Sequence, residues 1–319
     1  MPTYNRACYL GEAIRSVLAQ SFGDLELIVV DDGSTDETDD LMRQIQDPRV
    51  RYTRQGHHGI SAAMNAGLRA ARGAYVARLD SDDVWLPMLL EVETAQLDAR
   101  PEIAAVYAKA QAMDHKGDLL AHTQGIAERY PGKPFRSILY DDFTCNSTVL
   151  ARRKCFDRAG GYDESLVANE DWDMWLRVAR YDRFAFVDRV MAHIRWHDGN
   201  LTGLRSSSLR SVLESRSAVL DKAFARADLT PAEQAMKPIA YRNVYTFAGL
   251  RWLDAGKRPE ARAAFRQALR AGGDPGLTCL RILWAILRAK ILSRFSWGRR
   301  SMQLLADLRR RRAATVRHR

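Results

Sequence analysis

Three carboxylates lie within four residues, at Asp80, Asp82 and Asp83, directly after an apolar run that ends at Leu79. Carboxylates this close repel one another, and they are costly at the end of a buried strand unless a cation lies among them. Mg²⁺ and Mn²⁺ prefer oxygen ligands and often carry phosphate groups in such sites. The cluster therefore indicates a divalent cation with a bound nucleotide. A turn followed by an acidic cap of a helix starting near 85–87 is the competing interpretation.

A second acidic pair, Asp31 and Asp32, follows an apolar run over 25–30 and precedes a Gly-Ser-Thr-Asp turn at 33–36. Five of the six residues in that run are apolar, as is typical of a strand buried on both faces. Two buried strands thus end in acidic loops about 50 residues apart. Because ligands of open α/β sheets bind at the carboxyl ends of the strands, one shared site is favoured over separate helix caps.

Alternating strand and helix patterns predict the sheet that positions these loops, with mostly parallel strands. In chain order, the predicted elements are a helix over 9–20, a strand over 25–30, a helix over 37–45, a strand over 50–53, a helix over 59–71, a strand over 74–79, a helix over 88–99, strands over 104–109 and 147–150, a helix over 170–180 and a strand over 184–187.

Strand signals end near residue 206, and helical patterns cover 206–227 and 232–270. The segment 245–270 resembles one tetratricopeptide unit, a helical hairpin with small residues where its helices cross, and an ordinary helical hairpin explains it equally well. We therefore predict three regions, namely an α/β domain over 1–204, a helical region over 205–275 and an apolar, basic tail over 276–319.

All of the excess positive charge lies in the tail. Residues 277–319 carry 12 Lys or Arg and one acid, whereas the other 276 residues carry 37 basic and 38 acidic side chains. This distribution argues against nucleic acid as a partner and for a basic tail with its own partner. The apolar run 277–292 is too short and too charged to span a bilayer. We expect it at a membrane interface, with 309–312 binding anionic lipid headgroups, and a core helix followed by a basic tail is the alternative.

The cysteines indicate a reducing compartment. Cys8, Cys145, Cys155 and Cys279 have no CxxC spacing, so neither a zinc site nor a disulfide framework is indicated. We expect a cytoplasmic protein, peripheral at the inner face of the plasma membrane.

Five motifs give the chain a specific resemblance. They are Pro2-Thr3-Tyr4-Asn5-Arg6, Val30-Asp31-Asp32-Gly33-Ser34-Thr35-Asp36, Asn65-Ala66-Gly67, Asp80-Ser81-Asp82-Asp83 and Glu170-Asp171, and their order and separations match as well. On these motifs, residues 2 to about 200 resemble the inverting family 2 glycosyltransferases with the GT-A fold. The resemblance implies transfer of a sugar from a nucleoside-diphosphate sugar, UDP-sugar foremost, to a hydroxyl of a glycan or lipid-linked acceptor in cell-surface polysaccharide synthesis. It does not cover the helical C-terminal third.

The resemblance also implies a donor site. Tyr4 would stack on the nucleobase, with Thr3 and Asn5 beside it. Asp32 would accept a hydrogen bond from the base, and Asp80 would contact the ribose side of the nucleotide.

Metal and base positions are implied in the same way. Asp82 would ligate Mg²⁺ or Mn²⁺, with His197 completing the metal shell and His193 as the alternative. Asp171 would be the base that takes the proton of the acceptor hydroxyl, with Glu170 as the weaker candidate and a helix N-terminal carboxylate as the structural alternative.

The chain departs from the family pattern at two points. The family has an apolar strand immediately before the Pro-Thr-Tyr-Asn motif, whereas this chain starts at Met1. Without that strand a buried slot with unpaired backbone groups would open, so we expect either a start further upstream or another segment in the gap. Met64 stands where many relatives have a basic residue. Trp172 and Trp175 are expected either to line the acceptor site or to lie in the core.

A second hypothesis is a catalytically inactive protein with the same fold, acting as a helical-repeat scaffold or a membrane-binding partner. A nucleotidyltransferase is disfavoured because residues 2–10 contain no Gly-rich phosphate loop.

Overall fold

The fold is described for residues 1–141, 144–197, 199–200 and 209–272, together with Gly276 and Leu283, in a computed structural model. The predicted boundary at 204 and nearly all of the predicted tail over 276–319 lie outside these residues.

A parallel sheet of three strands, in the order β1-β2-β3, lies within the first 70 residues with its helices. Its elements are β1 Pro2–Thr3, α1 Ala7–Leu18, β2 Leu27–Asp31, α2 Thr38–Gln44, β3 Val50–Arg54 and α3 Ile60–Ala70. Each strand is followed by a helix, which is the alternation that the sequence predicts. Parallel pairing brings the carboxyl end of β1 beside that of β2, so Thr3 lies opposite Asp31.

A second sheet is mixed rather than parallel. Its order is β4-β8-β6-β9-β5, with β7 on β6, and β6 and β9 pair in parallel while the other pairs are antiparallel. The strands are β4 Tyr75–Ala77, β5 Val84–Trp85, β6 Ile103–Asp114, β7 Leu119–Gln124, β8 Leu150–Arg152 and β9 Arg183–Trp196. The sequence predicts β6 and β9 too short because polar residues interrupt their apolar runs, and it does not predict β5 or β7.

Helices cover both faces of the sheets and continue into the C-terminal region. They are α4 Leu89–Ala99, α5 Pro134–Tyr140, α6 Arg153–Ala159, α7 Glu170–Ala179, α8 Leu209–Phe224, α9 Pro231–Gln234, α10 Lys237–Asp254 and α11 Arg258–Arg270, with a 3-10 turn at Asn146–Thr148. One hydrophobic cluster joins α1 and α4 to the sheets. The other joins α7 to α8 and α10, so Trp175 and Leu220 belong to one core. No helix in the described ranges is both long and apolar enough to cross a bilayer.

The predicted hairpin is formed by α10 and α11. Gly249 lies where the two helices cross, because a Cβ atom there would overlap the ring of Phe265. Trp252 packs beside this crossing, against Leu209 and Leu213 of α8. The hairpin therefore packs on a neighbouring helix, as a single unit of this kind must to bury its apolar face.

A cavity of about 600 Å³ lies between the two sheets. Leu27 and Ile28 of β2 line one side, residues 75–77 of β4 line the other, and α1, α3 and α4 contribute further walls. The buried amino group of Met1 donates a hydrogen bond to the Ile28 carbonyl at 2.9 Å, and burial lowers the pKa of that amino group to about 5. A slot between strand edges is thus present where the family pattern places an additional strand.

An apolar strand fused ahead of Met1 is expected to fill this slot and stabilise the fold. About six Val and Ile residues would extend about 20 Å and pair with the edges of β2 and β4 while burying apolar surface. The melting temperature should rise by roughly 2–4 °C for each kcal/mol gained. A fusion of equal length made of Gly and Ser is the control, and equal melting temperatures for the two fusions would contradict the expectation.

Glu93 in α4 is fully buried, and neither of its carboxylate oxygens has a hydrogen-bond partner among the described residues. Burial raises the pKa of Glu93 well above its ordinary value. An acid whose pKa is raised in the folded state contributes its full stability only below its ordinary pKa, which is about 4.3 for Glu. That contribution is lost as the pH rises from this value through the pKa of the folded state. Glu93 should therefore destabilise the fold progressively in neutral and alkaline solution.

Glu93→Gln is expected to raise the melting temperature clearly more at about pH 8 than at about pH 5, because Gln stays neutral at both values. Thermal denaturation at the two pH values measures this difference. The control is Glu102→Gln, which changes an exposed residue next to the start of β6. A stability change that is equal at both pH values would show that the carboxylate of Glu93 does not titrate in the folded state as expected.

Candidate active site

The acidic loop between β4 and β5 meets the end of β9 through Asp82. Asp82 Oδ2 lies 2.9 Å from His197 Nε2 and 3.5 Å from Arg6 Nε. The two side chains of the first pair are 13% and 8% exposed. Burial opposes ionisation of Asp82, but the hydrogen bond from His197 and the charge of Arg6 outweigh it and lower the pKa of the carboxyl group. The structure thus joins two residues that are 115 positions apart.

A carboxylate oxygen and an imidazole nitrogen at hydrogen-bond distance form a donor set that fits a divalent cation. Across the described ranges, no group of three or more His, Cys, Asp or Glu is arranged to hold a metal ion. Diphosphate oxygens and water would therefore have to supply the other ligands of a cation at Asp82 and His197. His193 lies instead in the β5–β9 ladder opposite Val84, and burial lowers its pKa. Of the two predicted histidines, the geometry favours His197.

Asp83 has a structural position. It is buried, accepts a hydrogen bond from Ser147 Oγ at 2.6 Å and accepts another from the backbone N–H of Arg195 at 2.9 Å. Burial, followed by the charges of the neighbouring aspartates, raises its pKa well above the usual range. The interpretation of Asp83 as a helix cap is wrong, since residues 84–85 form strand β5 and α4 begins only at Leu89.

Arg78 connects the acidic loop to the start of α7. Its buried guanidinium donates from Nε to Asp80 at 2.8 Å and from Nη1 to Glu170 at 2.9 Å. Burial and the adjacent Asp171 raise the pKa of Glu170 to about 7, although the charge of Arg78 opposes this shift. Sequence reasoning missed Arg78. Its signal was a basic residue within an apolar run, because a buried cation requires an acidic partner.

Asp171 is the more accessible member of the predicted pair. It is half-buried in the first turn of α7, whereas Glu170 is buried and bound to Arg78. Its Oδ2 atom accepts a hydrogen bond from the side-chain amide of Asn146. Asp171 therefore has the exposure that a base for an incoming hydroxyl needs, and Glu170 does not.

The predicted nucleobase side lies at the ends of β1 and β3. Tyr4 is 40% exposed, and its ring stacks on that of His57 with the centroids 4.1 Å apart. Thr3 is buried. Asn5 adopts a φ of 51° and accepts the backbone N–H of Thr35 through its side-chain oxygen at 2.7 Å. Tyr4 thus presents an open aromatic face, while Asn5 fixes the turn beside it, and nucleotide contacts of Thr3 and Asn5 stay predictions.

Asp32 is only 3% exposed, and its carboxylate is already in use. It accepts hydrogen bonds from three groups, namely Gln55 Nε2 at 2.8 Å, the His58 N–H at 3.0 Å and the Gly59 N–H at 2.8 Å. His57 Nδ1 is hydrogen-bonded to the backbone carbonyl of Asp32 at 3.1 Å and also lies 2.9 Å from the carboxylate. A nucleobase N–H would have to replace one of these donors. The side chains of Gln55 and His57 are the ones that can rotate away, so the predicted contact between Asp32 and the base requires movement of this loop.

Four further residues singled out in the sequence have side chains that pack or bond inside the protein. Trp172 and Trp175 are both 2% exposed in the core around α7, so of the two alternatives the structure favours the core position. Met64 is buried in the same cluster. Asn65, from the third motif, is bonded to the backbone of Tyr162 through both atoms of its amide, at 2.9 and 2.7 Å.

The sequence of the chain matches that of known proteins over the region that contains these residues. A family model described as glycosyl transferase family 2 matches residues 1–157. An uncharacterized glycosyltransferase of Rickettsia prowazekii is 30% identical over 228 residues, which cover 70% of this chain and 70% of that protein. The chain belongs to glycosyl transferase family 2. This family 2 protein is also 27% identical over 244 residues to the chondroitin synthase of Escherichia coli, covering 74% of this chain and 35% of the synthase. It thus spans about a third of the length of that relative.

Solved structures with the GT-A fold resemble this family 2 chain over most of its length. S. aureus TarS 1-349 in complex with UDP-GlcNAc superposes with a TM-score of 0.62 at 18% identity, covering 94% of this chain and 91% of that one. The mannosyltransferase PcManGT from Pyrobaculum calidifontis, in complex with GDP-Man and Mn²⁺, superposes with a TM-score of 0.54 at 20% identity, covering 93% and 86%. At these identities the likeness shows the fold.

His197→Gln is expected to weaken Mn²⁺ binding about tenfold in the presence of UDP, and to change Mg²⁺ binding less, because imidazole suits Mn²⁺ better. Isothermal titration calorimetry with each metal measures the effect. His193→Gln is the matched control and should bind both metals like the parent protein. If both variants lose the same amount of Mn²⁺ affinity, His197 is not a ligand of the predicted metal ion.

Proposed function

We propose that this family 2 protein is an inverting glycosyltransferase that requires a divalent cation. It moves a sugar from a nucleoside-diphosphate sugar, preferably a UDP-sugar, to a hydroxyl of a glycan or lipid-linked acceptor. The relatives named chondroitin synthase and hyaluronan synthase support a role in the synthesis of a cell-surface polysaccharide. UDP-GlcNAc in one structural neighbour, and GDP-Man with Mn²⁺ in the other, support the donor class and the cation.

The observation that carries the proposal is the Arg78 bridge. One guanidinium binds Asp80 of the acidic loop and Glu170 at the start of α7, at 2.8 and 2.9 Å. It therefore holds the predicted ribose-binding carboxylate near Asp171, which follows Glu170 in the chain. Direct transfer requires the sugar donor and the acceptor hydroxyl to lie next to each other, and the bridge keeps the two acidic segments proposed to bind them adjacent.

Asp82 and His197 would hold the cation of the proposed enzyme. When bound, such a cation stabilises the negative charge that develops on the leaving nucleoside diphosphate. Tyr4 offers its exposed ring to the nucleobase, since aromatic side chains stack on the faces of bases. The partly exposed Asp80 accepts hydrogen bonds from hydroxyl groups of the ribose, while Arg78 fixes the orientation of the Asp80 side chain.

Asp171 acts as the base in this proposal. The acceptor oxygen forms a bond to the anomeric carbon as the bond from that carbon to the diphosphate oxygen breaks, and Asp171 takes the hydroxyl proton. A single displacement from the face opposite the leaving group inverts the configuration. Glu170 is unsuited to this role because it is buried and bound to Arg78.

We extend the proposal to the location of the enzyme. The net charge of +11 over 277–319, calculated from 12 basic residues and one acid, suits an anionic bilayer surface. A peripheral position at the cytoplasmic face of the membrane would bring the site close to a lipid-linked acceptor.

Asp171→Asn is expected to lower kcat by about 10²–10⁴-fold, the usual contribution of a general base, without weakening UDP binding in the presence of Mn²⁺. A panel of nucleotide sugars first identifies the donor with the fastest turnover, and kcat is then measured with that donor. UDP binding is measured by calorimetry.

Glu170→Gln provides the comparison for this experiment. Its loss of kcat should be smaller, because the substitution removes a charge paired with Arg78 and leaves the base in place. A larger loss for Glu170→Gln would transfer the role of base to Glu170. If the parent protein does not bind UDP, GDP or dTDP saturably with Mn²⁺, the protein is a scaffold with a GT-A fold.

A further inference from the structure

The side chain of Asn146 lies between Asp171 and Trp175. Its amide nitrogen donates to Asp171 Oδ2, and its amide oxygen accepts the indole N–H of Trp175 at 2.8 Å. Asn146 begins the 3-10 turn between α5 and β8, whereas Asp171 and Trp175 lie one turn apart on α7. The three groups form a continuous chain of hydrogen bonds that ends at the proposed base.

The chemistry of the indole group fixes the orientation of the amide. Indole Nε1 only donates, so the amide oxygen must face Trp175 and the amide nitrogen must face Asp171. Trp175 cannot easily move, because it is 2% exposed and packs edge-on against Phe156 and Phe184 at centroid distances of 5.8 and 6.0 Å. A buried ring thus determines which end of Asn146 the carboxylate meets.

Ser147 and Thr148, the next two residues of the 3-10 turn, bind this turn to the rest of the site. Ser147 Oγ donates to Asp83 at 2.6 Å and accepts the backbone N–H of Asp80 at 3.3 Å. Thr148 Oγ1 donates to the Ala108 carbonyl at 2.9 Å and accepts the Ala108 N–H at 3.2 Å, in the middle of β6. Three consecutive side chains therefore contact the proposed base, the acidic loop and the central strand.

We propose that Asn146 is a positioning residue for Asp171, with Trp175 acting through it, and that the turn Asn146–Thr148 sets the base relative to the donor loop. The inference rests on the proposed role of Asp171. Asp171 Oδ1 accepts the backbone N–H of Trp172 at 2.7 Å, so the Asn146 donor on Oδ2 fixes the second oxygen and with it the plane of a carboxylate whose last torsion angle otherwise rotates easily. Misplacing a reacting group by about 1 Å costs on the order of 10²-fold in rate.

Trp175→Phe is the decisive variant, because it keeps most of the buried ring and removes the N–H that holds Asn146. The amide is then free to turn its oxygen toward Asp171, so kcat should fall about tenfold while KM for the donor sugar stays unchanged. Asn146→Ala should lower kcat by about 10²-fold, again without a change in donor KM. Asn146→Asp should move the acidic limb of the kcat–pH profile upward, since a second carboxylate beside Asp171 disfavours its charged form.

Trp172→Phe is the matched control. The Trp172 side chain is equally buried on α7 but donates its indole N–H to the Ile138 carbonyl at 3.0 Å. It should lose stability in thermal denaturation about as much as Trp175→Phe, with kcat close to the parent value.

Each result separates the inference from the function on which it rests. If Trp175→Phe and Asn146→Ala turn over like the parent while Asp171→Asn is inactive, the positioning role is wrong and the base assignment stands. If Trp172→Phe loses as much kcat as Trp175→Phe, the effect is one of core packing and the inference is overturned. If Asp171→Asn turns over like the parent, the assignment of Asp171 as the base is wrong and the inference fails with it, while transfer by another base is still open to test with Glu170→Gln.

Discussion

The site depends on one buried positive charge. Arg78 lies between the partly exposed Asp80 and the buried Glu170, and without it the buried carboxylate of Glu170 would have no cation beside it. Removing one partner of such a buried pair costs about 3–5 kcal/mol, because the remaining charges are left uncompensated. Arg195 has a comparable position, since its buried guanidinium bonds to the backbone of Asp82 and to Glu12. Buried arginines thus make a strongly acidic sheet edge compatible with a folded core.

Much of the fold follows from local patterns in the sequence. Apolar runs of six residues that end in aspartates predict buried strands, and alternation with helices predicts the parallel sheet. The strands of the mixed sheet are harder to predict, because β5 and β7 are short or exposed and show no clear alternation of apolar residues. The interpretation of a helix starting near 85–87 failed for the same reason, since residues 84–85 form β5. Two residues cannot show a period, and their pairing with β9 is decided by tertiary contacts.

The candidate site was predictable in its acidic members and not in the residues that hold them. The cluster that contains Asp82 is conspicuous because three carboxylates follow an apolar run, whereas the roles of Asp171 and His197 were predicted from the resemblance to the family pattern. Arg78 and Asn146 were missed because their partners lie 92 and 25 positions away, so their roles exist only in the folded chain. The stacking of Tyr4 on His57, and the three hydrogen-bond donors to the Asp32 carboxylate, were unpredictable for the same reason.

The shared core of α7 and the C-terminal helices has a consequence for how such a protein diversifies. The family match ends at residue 157, before α7 begins, and α7 is packed between the sheet and helices α8 and α10. The two halves of the proposed chemistry therefore rest on different parts of the chain. Substitutions in α8 and α10 act on the packing of the helix that carries Asp171, whereas Arg78 and the turn Asn146–Thr148 are the contacts that connect this helix to the donor side. We therefore expect sequence changes in these distant helices to reach the proposed base directly, and the donor side only through those few contacts.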